Sequence, residues 1–258
     1  MDDQVKTTRR RARLRDDRDY DTTSLRAKTH GSALTRDYSA HFFRWSFARR
    51  MIKQTDALLE IGCGVDRPLW HILFVATAGP LADRYVGADL NALPEWNHGR
   101  STFYGEFNFV ERWKELKRKH EAFDITVCME VIEHMKVEHG AELLRGLREL
   151  LRPGGTLLLS TPCYDGKRHA ANHIHEYTVP ELEAAVVKAG FRVERRFGTF
   201  MDVKHISKAS DPELRYVHDR LADYYDNNAL SCIFAPLFPD RARNNLWVLR
   251  RPEARSRK

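Results

Sequence analysis

Ala57-Leu58-Leu59-Glu60-Ile61-Gly62-Cys63-Gly64 is the stretch on which the fold turns. Five mostly apolar residues make a short buried strand, and the glycines that follow let the backbone turn tightly and pass close to a ligand. Outward from this point strands and helices alternate. Asp66 and Pro68 have the types of an N-cap and first turn, predicting a helix toward Gly79. Tyr85-Val86-Gly87-Ala88-Asp89 reads as a second strand, Ser101-Thr102-Phe103-Tyr104 as a third and Phe123-Asp124-Ile125-Thr126-Val127-Cys128 as a fourth, with a charged surface helix over 111–120. Leu143, Leu144, Leu147, Leu150 and Leu151 have the spacing of a helix over 137–151 with one buried face. Arg152-Pro153-Gly154-Gly155 ends it and leads into a fifth strand, Thr156-Leu157-Leu158-Leu159-Ser160. A helix over 178–190, a strand over 191–197 and a last strand over 245–249 complete the pattern. Such alternation defines an α/β fold: a doubly wound, mostly parallel sheet with helices on both faces.

Upstream, aromatic-rich residues 37–53 predict a helix docked on the body, and residues 1–35 read as a mobile basic arm. Residues 36–258 are expected to form one domain. Within it the rhythm breaks over 198–240, an insertion before the last strand. Of the 258 residues, 42% are hydrophobic and 31% charged, with no apolar run near the roughly 20 residues that span a bilayer. The opening Met1-Asp2-Asp3-Gln4 has no apolar core, so no secretory signal is expected. Cys63, Cys128, Cys163 and Cys232 are widely spaced with no CxxC pair, which points to reduced thiols and a cytoplasmic setting. The net charge of +7 resides at the ends: residues 1–18 carry +3 and 241–258 carry +6, leaving about −2 between. Basic ends suit either solvated termini or contact with a polyanion such as nucleic acid.

Ligands of such sheets bind outside the carboxyl ends of the strands. Three pieces fall there. Glu60, Gly62, Cys63 and Gly64 form the first, either a tight structural turn or a ligand cradle; the residues after Gly64 complete neither G-x-G-x-x-G nor a P-loop. Asp89, followed by Leu90, ends the next strand about 25 residues on, where a carboxylate either accepts both hydroxyls of a ribose or anchors a loop. Gly105-Glu106-Phe107 is the third: Glu106 would accept from an adenine amino group and Phe107 cover the ring.

Three segments carry a resemblance: Leu58-Leu59-Glu60-Ile61-Gly62-Cys63-Gly64, then Phe123-Asp124-Ile125-Thr126-Val127-Cys128-Met129-Glu130-Val131-Ile132-Glu133-His134, then Leu150-Leu151-Arg152-Pro153-Gly154-Gly155-Thr156-Leu157-Leu158-Leu159-Ser160-Thr161-Pro162. They resemble the successive motifs of class I S-adenosylmethionine-dependent methyltransferases, most of all the branch that includes the ubiquinone-biosynthesis O-methyltransferases, over residues 55–195. The resemblance implies a seven-stranded sheet with an antiparallel last strand and S-adenosyl-L-methionine as cofactor. It places Glu60, Gly62 and Gly64 at the methionine part, Asp89 at the ribose, Glu106 and Phe107 near adenine, and Met129 and Glu130 along the cofactor. The usual third glycine of the first motif is missing.

Methyl transfer from a sulfonium is an in-line displacement, so positioning supplies much of the catalysis, and a base is required only when the acceptor loses a proton. His134 and His173 are the candidate bases on an oxygen or nitrogen of a small-molecule acceptor, with Glu133 beside them; His134 also suits a helix cap and Glu133 a structural role. His175 and Tyr177 lie nearby, Cys163 suits either a small loop residue or a nucleophile for a pyrimidine, and Arg243-Asn244-Asn245-Leu246-Trp247 reads as the start of the last strand or, at Arg243 or Asn244, as facing the acceptor. No metal is assigned in this reading. Glu130, Glu133, His134 and His173 also resemble, in type and order, the divalent-metal set of small-RNA 3′-terminal 2′-O-methyltransferases, which implies an alternative: an RNA 2′-O-methyltransferase assisted by Mg²⁺ or Mn²⁺. A catalytically inactive cofactor-binding partner subunit is the remaining alternative. Cys128-Met129-Glu130-Val131 is not the tetrad of DNA amino-methyltransferases.

Overall fold

The computed structural model describes residues 36–76, 79–92, 96–167 and 170–253. The expected arm over 1–35 lies outside them, as do residues 254–258.

Helix α1 (Arg36–Met51) precedes β1 (Ala57–Ile61), α2 (Pro68–Trp70), β2 (Arg84–Ala88), β3 (Trp96–His98), β4 (Ser101–Tyr104), α3 (Phe109–Lys119), β5 (Phe123–Met129), α4 (Val137–Leu150), β6 (Leu151–Pro162), α5 (Val179–Lys188) and β7 (Arg192–Met201). Then come α6 (Lys204–Ser207), α7 (Pro212–Ala222), α8 (Asn227–Phe234) and β8 (Ala242–Arg250). The strands form one sheet in the order β3-β4-β2-β1-β5-β6-β8-β7. Strands β4, β2, β1, β5 and β6 are parallel, and β8 runs antiparallel between β6 and β7. These are the seven strands expected, with the antiparallel last strand in place; the three-residue β3 adds an eighth at the edge, antiparallel to β4.

Because side chains alternate across a strand, β1 feeds two cores. Leu59 joins Val86, Leu143, Leu147 and Trp247 beneath α3 and α4, and Leu58 joins Val127, Leu158, Trp45, Leu69 and Leu73 beneath α1 and α2. The leucine-spaced helix is α4, with Leu143, Leu144, Leu147 and Leu150 buried. The charged helix α3 is amphipathic rather than wholly surface, with Phe109, Trp113 and Leu116 buried. A third core of Met201, Ile206, Leu230 and Phe234 holds the insertion together. The paired strands reach inward to Met201 and Ala242, so the insertion proper is 202–241.

Two local expectations need correction. Asp66 does not cap a helix: the capping position is Arg67, left-handed at φ 47°, with its guanidinium 4.4 Å from the centre of the Phe103 ring. The helix that follows is one turn long and passes into a π-turn over His71–Val75. Arg152-Pro153-Gly154-Gly155 does not stand outside the strand: β6 begins at Leu151, and these residues bulge between the Phe123–Leu151 and Ile125–Thr156 pairs. Among the described residues no helix is long and apolar enough to cross a membrane.

Candidate active site

A cleft of about 430 Å³ opens at the carboxyl ends of β1, β2, β5 and β6. Its floor is the glycine turn. Gly62 and Gly64 adopt φ of 74° and 70°, and a Cβ on Gly62 would stand 2.4 Å from Val131 Cγ2, so only glycine lets the turn lie against the segment after β5. The Gly64 amide donates to Asp89 Oδ2 at 2.8 Å, and Asp89 Oδ1 accepts from the Asn91 amide and side chain at 2.8 and 2.7 Å. Asp89 therefore ties the glycine turn to the end of β2 while lining the cleft with Leu90 and Asn91. Cys63 is buried, and burial pushes its thiol well above the usual range. Glu60 is buried and accepts a hydrogen bond from the Tyr85 hydroxyl. Burial pushes its carboxyl up to about 8 against the lowering effect of that bond, so near neutral pH Glu60 is mostly the uncharged acid.

Phe107 lines the cleft beneath Arg112, whose guanidinium lies 4.5 Å from the ring centre. Glu106 does not join it. The left-handed turn at Glu106, φ 47°, leaves its side chain exposed and outside the cleft lining, and Asn108 and Val110 occupy that side instead.

At the other end, Met129 and Glu130 close β5. Glu130 is left-handed at φ 57°, and its two carboxylate oxygens accept from Ser160 Oγ at 2.8 Å and Asn244 Nδ2 at 2.7 Å. Glu133 is 1% exposed and accepts from Thr161 Oγ1 at 3.0 Å. Burial first, and then the Glu130 charge, holds its carboxyl well above the usual range. His134 Nδ1 lies 2.9 Å from the Asn172 carbonyl. A carbonyl only accepts, so Nδ1 carries hydrogen and Nε2 is the basic atom of the neutral ring. His173 Nδ1 lies 2.6 Å from Glu176 Oε1, and the two imidazoles meet edge to face at 4.9 Å. Glu133, His134 and His173 each offer a ligand atom within 4.8 Å of the others. The structure thus gathers three of the four residues of the metal-type pattern; the Glu130 carboxylate is engaged by Ser160 and Asn244.

Of the remaining sequence candidates, Cys163 is buried, its thiol raised to about 11 by burial, with Sγ accepting from Asn245 Nδ2, surroundings that do not favour the thiolate a nucleophile needs. His175 packs edge to face on Tyr177, and neither lines the cleft. Arg243 and Asn244 do. His41, Arg44 and Trp45 from α1 and Phe200 from β7 also line it, and no local sequence signal marked them.

A glycine-turn cleft at the carboxyl edge of a sheet with this strand order is the architecture that class I methyltransferases share. Residues 40–196 match the family described as "Methyltransferase domain"; the chain belongs to that family, and its cofactor is S-adenosyl-L-methionine. A tRNA U34 carboxymethyltransferase of Azotobacter vinelandii is 30% identical over 124 residues, 42% of this chain and 33% of that protein, so the match spans a third of the relative's length. Among solved structures, the [4+2]-cyclase SpnF superposes with a TM-score of 0.55 at 16% identity, covering 88% of this chain and 86% of that one. The small RNA methyltransferase HEN1 gives 0.54 at 18% (88% and 27%), and a SAM-dependent methyltransferase from Archaeoglobus fulgidus 0.52 at 16% (84% and 94%). These likenesses establish the fold; a cyclase among them illustrates that the fold alone does not name the reaction.

Proposed function

We propose that the chain methylates a hydroxyl group of a small-molecule acceptor, with His134 taking the proton. The observation that carries this reading is the tether of His134 Nδ1 to the Asn172 carbonyl, which makes Nε2 the basic atom of a ring lining the cleft beside Glu133 and His173. Bound S-adenosyl-L-methionine supplies a sulfonium-activated methyl group. The residues present fit it: the glycine turn admits close backbone approach at Gly62 and Gly64, Asp89 offers a carboxylate to the ribose, and Phe107 an apolar face to adenine. Glu60, Cys63 and Leu90 complete that half of the cleft, and Met129 and Glu130 border it from the end of β5. Glu133, its carboxyl pushed well above the usual range by burial, lies beside the base, and the His173–Glu176 pair fixes the wall against which the acceptor rests. Phe200, Arg243 and Asn244 form the acceptor side of the one domain assigned to 36–258; among the described residues none of the insertion, 202–241, lines the cleft, so it borders the acceptor side from behind these residues. The near-neutral body between the basic ends favours a small acceptor over an extended polyanion.

A second reading has its own support. Both imidazoles give Nδ1 to an oxygen, of Asn172 and of Glu176, the arrangement that turns Nε2 toward a metal ion. Glu133, His134 and His173 would then hold Mg²⁺ or Mn²⁺, and the acceptor would be a ribose hydroxyl of RNA.

Calorimetric titration with S-adenosylhomocysteine, with and without each metal, and with each metal alone, separates the two. Cofactor-product binding with no metal binding is expected. Metal binding that His134→Ala abolishes would replace the small-molecule reading with the RNA one, and failure to bind S-adenosylhomocysteine would remove both.

A further inference from the structure

Strand β8 meets the cleft at its first residues. It runs antiparallel to β6, so Ala242, Arg243 and Asn244 stand where β6 ends, with Asn244 opposite Pro162. Three bonds fix this corner. The Arg243 carbonyl accepts from the Cys163 amide at 2.8 Å, Asn244 Nδ2 donates to Glu130 at 2.7 Å, and Asn244 Oδ1 accepts from Thr199 Oγ1 at 2.7 Å. Arg243 therefore sits on an immobile strand end, exposed and lining the cleft. Arg250 at the far end of the same strand pairs with Glu194, and Arg196 of β7 pairs with Asp240. The Arg243 guanidinium has neither a carboxylate in ion-pair range nor a hydrogen-bond acceptor among the described residues. Asp89, Glu130 and Glu176, carboxylates lining the same cleft, are engaged elsewhere, by the glycine turn, by Ser160 and Asn244, and by His173. Beside the cation, Phe200 of β7 is in register with Asn244 and also lines the cleft.

We propose that Arg243 binds an acidic group, a carboxylate or phosphate, on the acceptor, so that the molecule methylated is an anion with an apolar body. This deepens the methyl-transfer reading and rests on it. A guanidinium is always charged, and its planar fork matches the oxygens of a carboxylate or phosphate edge to edge. An acceptor that covers the cleft removes water from the cation. An anion then gains attraction as the solvent leaves, whereas a neutral acceptor leaves the charge covered and unpaired. Phe200 supplies the apolar wall for the rest of the molecule.

The test is calorimetry on wild type, Arg243→Met and Arg243→Lys, each saturated with S-adenosylhomocysteine. Salicylate is compared with its uncharged amide, and phenyl phosphate with phenol. Wild type is expected to prefer the anion by about tenfold or more in at least one pair, and that pair tells carboxylate from phosphate. Arg243→Met should abolish the preference and Arg243→Lys keep only part of it, with the affinity for S-adenosylhomocysteine and the unfolding midpoint unchanged. Arg243→Gln, also uncharged, gives the same reading if Arg243→Met does not fold. No preference in wild type, or a preference that survives in Arg243→Met, overturns the proposal while methyl transfer stands. Weakened S-adenosylhomocysteine binding in Arg243→Met places the residue on the cofactor and overturns it too. No binding of S-adenosylhomocysteine to wild type removes the methyl-transfer reading itself, and this proposal with it.

Discussion

Glu60, enclosed between β1, β2 and the glycine turn with the Tyr85 hydroxyl donating to it, carries a pH dependence whose sign follows from its surroundings. Its carboxyl ionises near 4.5 in an unfolded chain and near 8 in the fold, because burial disfavours the charge. Below about 4.5 both states hold the proton. Between about 4.5 and 8 the unfolded chain releases it and the fold keeps it, so stability falls as pH rises through that window and the loss is complete above it. Glu60→Gln keeps an acceptor for Tyr85 and removes the titration. Its urea midpoint should therefore gain on wild type as pH rises from about 5 to about 8; parallel curves would mean that Glu60 is already charged in the fold. The glycine turn, Asp89, Phe107 and His134 were legible because they lie at or just beyond strand ends and reach the cleft by local geometry, whereas His173 comes to it on the loop between β6 and α5. Glu106 was misread because a left-handed turn, which its residue type does not announce, leaves its side chain exposed. Arg44 and Phe200 were invisible for another reason: they arrive by long-range packing of α1 and of the far end of β7.

Helix α5 shows how completely an element can be written in a few residues. Thr178 accepts from the Glu181 amide while the Glu181 side chain accepts from the Thr178 amide, and Pro180 occupies the first turn. Thr178→Ala removes one half of this reciprocal cap, a loss of about 1 kcal/mol, or roughly 2–4 °C in the unfolding midpoint for a chain of this size. S-adenosylhomocysteine affinity should not move, since Thr178 does not line the cleft; a matching fall in affinity would mean that α5 positions His173. Helix α4 was equally legible from its leucine spacing. Around α2 the same reasoning failed, because Asp66-Arg67-Pro68 has the residue types of a cap but Arg67 takes the left-handed position over Phe103. A cation resting on a ring outweighed a local preference.

For the whole molecule, the alternation of strands and helices was enough to read the doubly wound sheet. The edge strand β3, three residues long, was too short to leave a period. Charge is distributed unevenly along the chain, with the excess at the ends and about −2 between residues 19 and 240. Binding of a single-stranded RNA oligomer should therefore be confined to low ionic strength and vanish at ~0.15 M salt. Binding that survives ~0.15 M salt would transfer the acceptor assignment to RNA. The position of β8 has a consequence for synthesis. In the sheet β7 pairs with β8 and with no other strand, and β8 also covers the open edge of β6. As the chain leaves the ribosome, β6 and β7 emerge first and cannot join each other, since the strand that belongs between them follows about 40 residues after β7 ends. For those few seconds at ordinary elongation rates, β6 presents a bare, apolar edge and β7 waits undocked. The nascent protein is thus most open to mispairing just before its sheet closes, and a holding chaperone or a translational pause would act with most effect at residues 202–241.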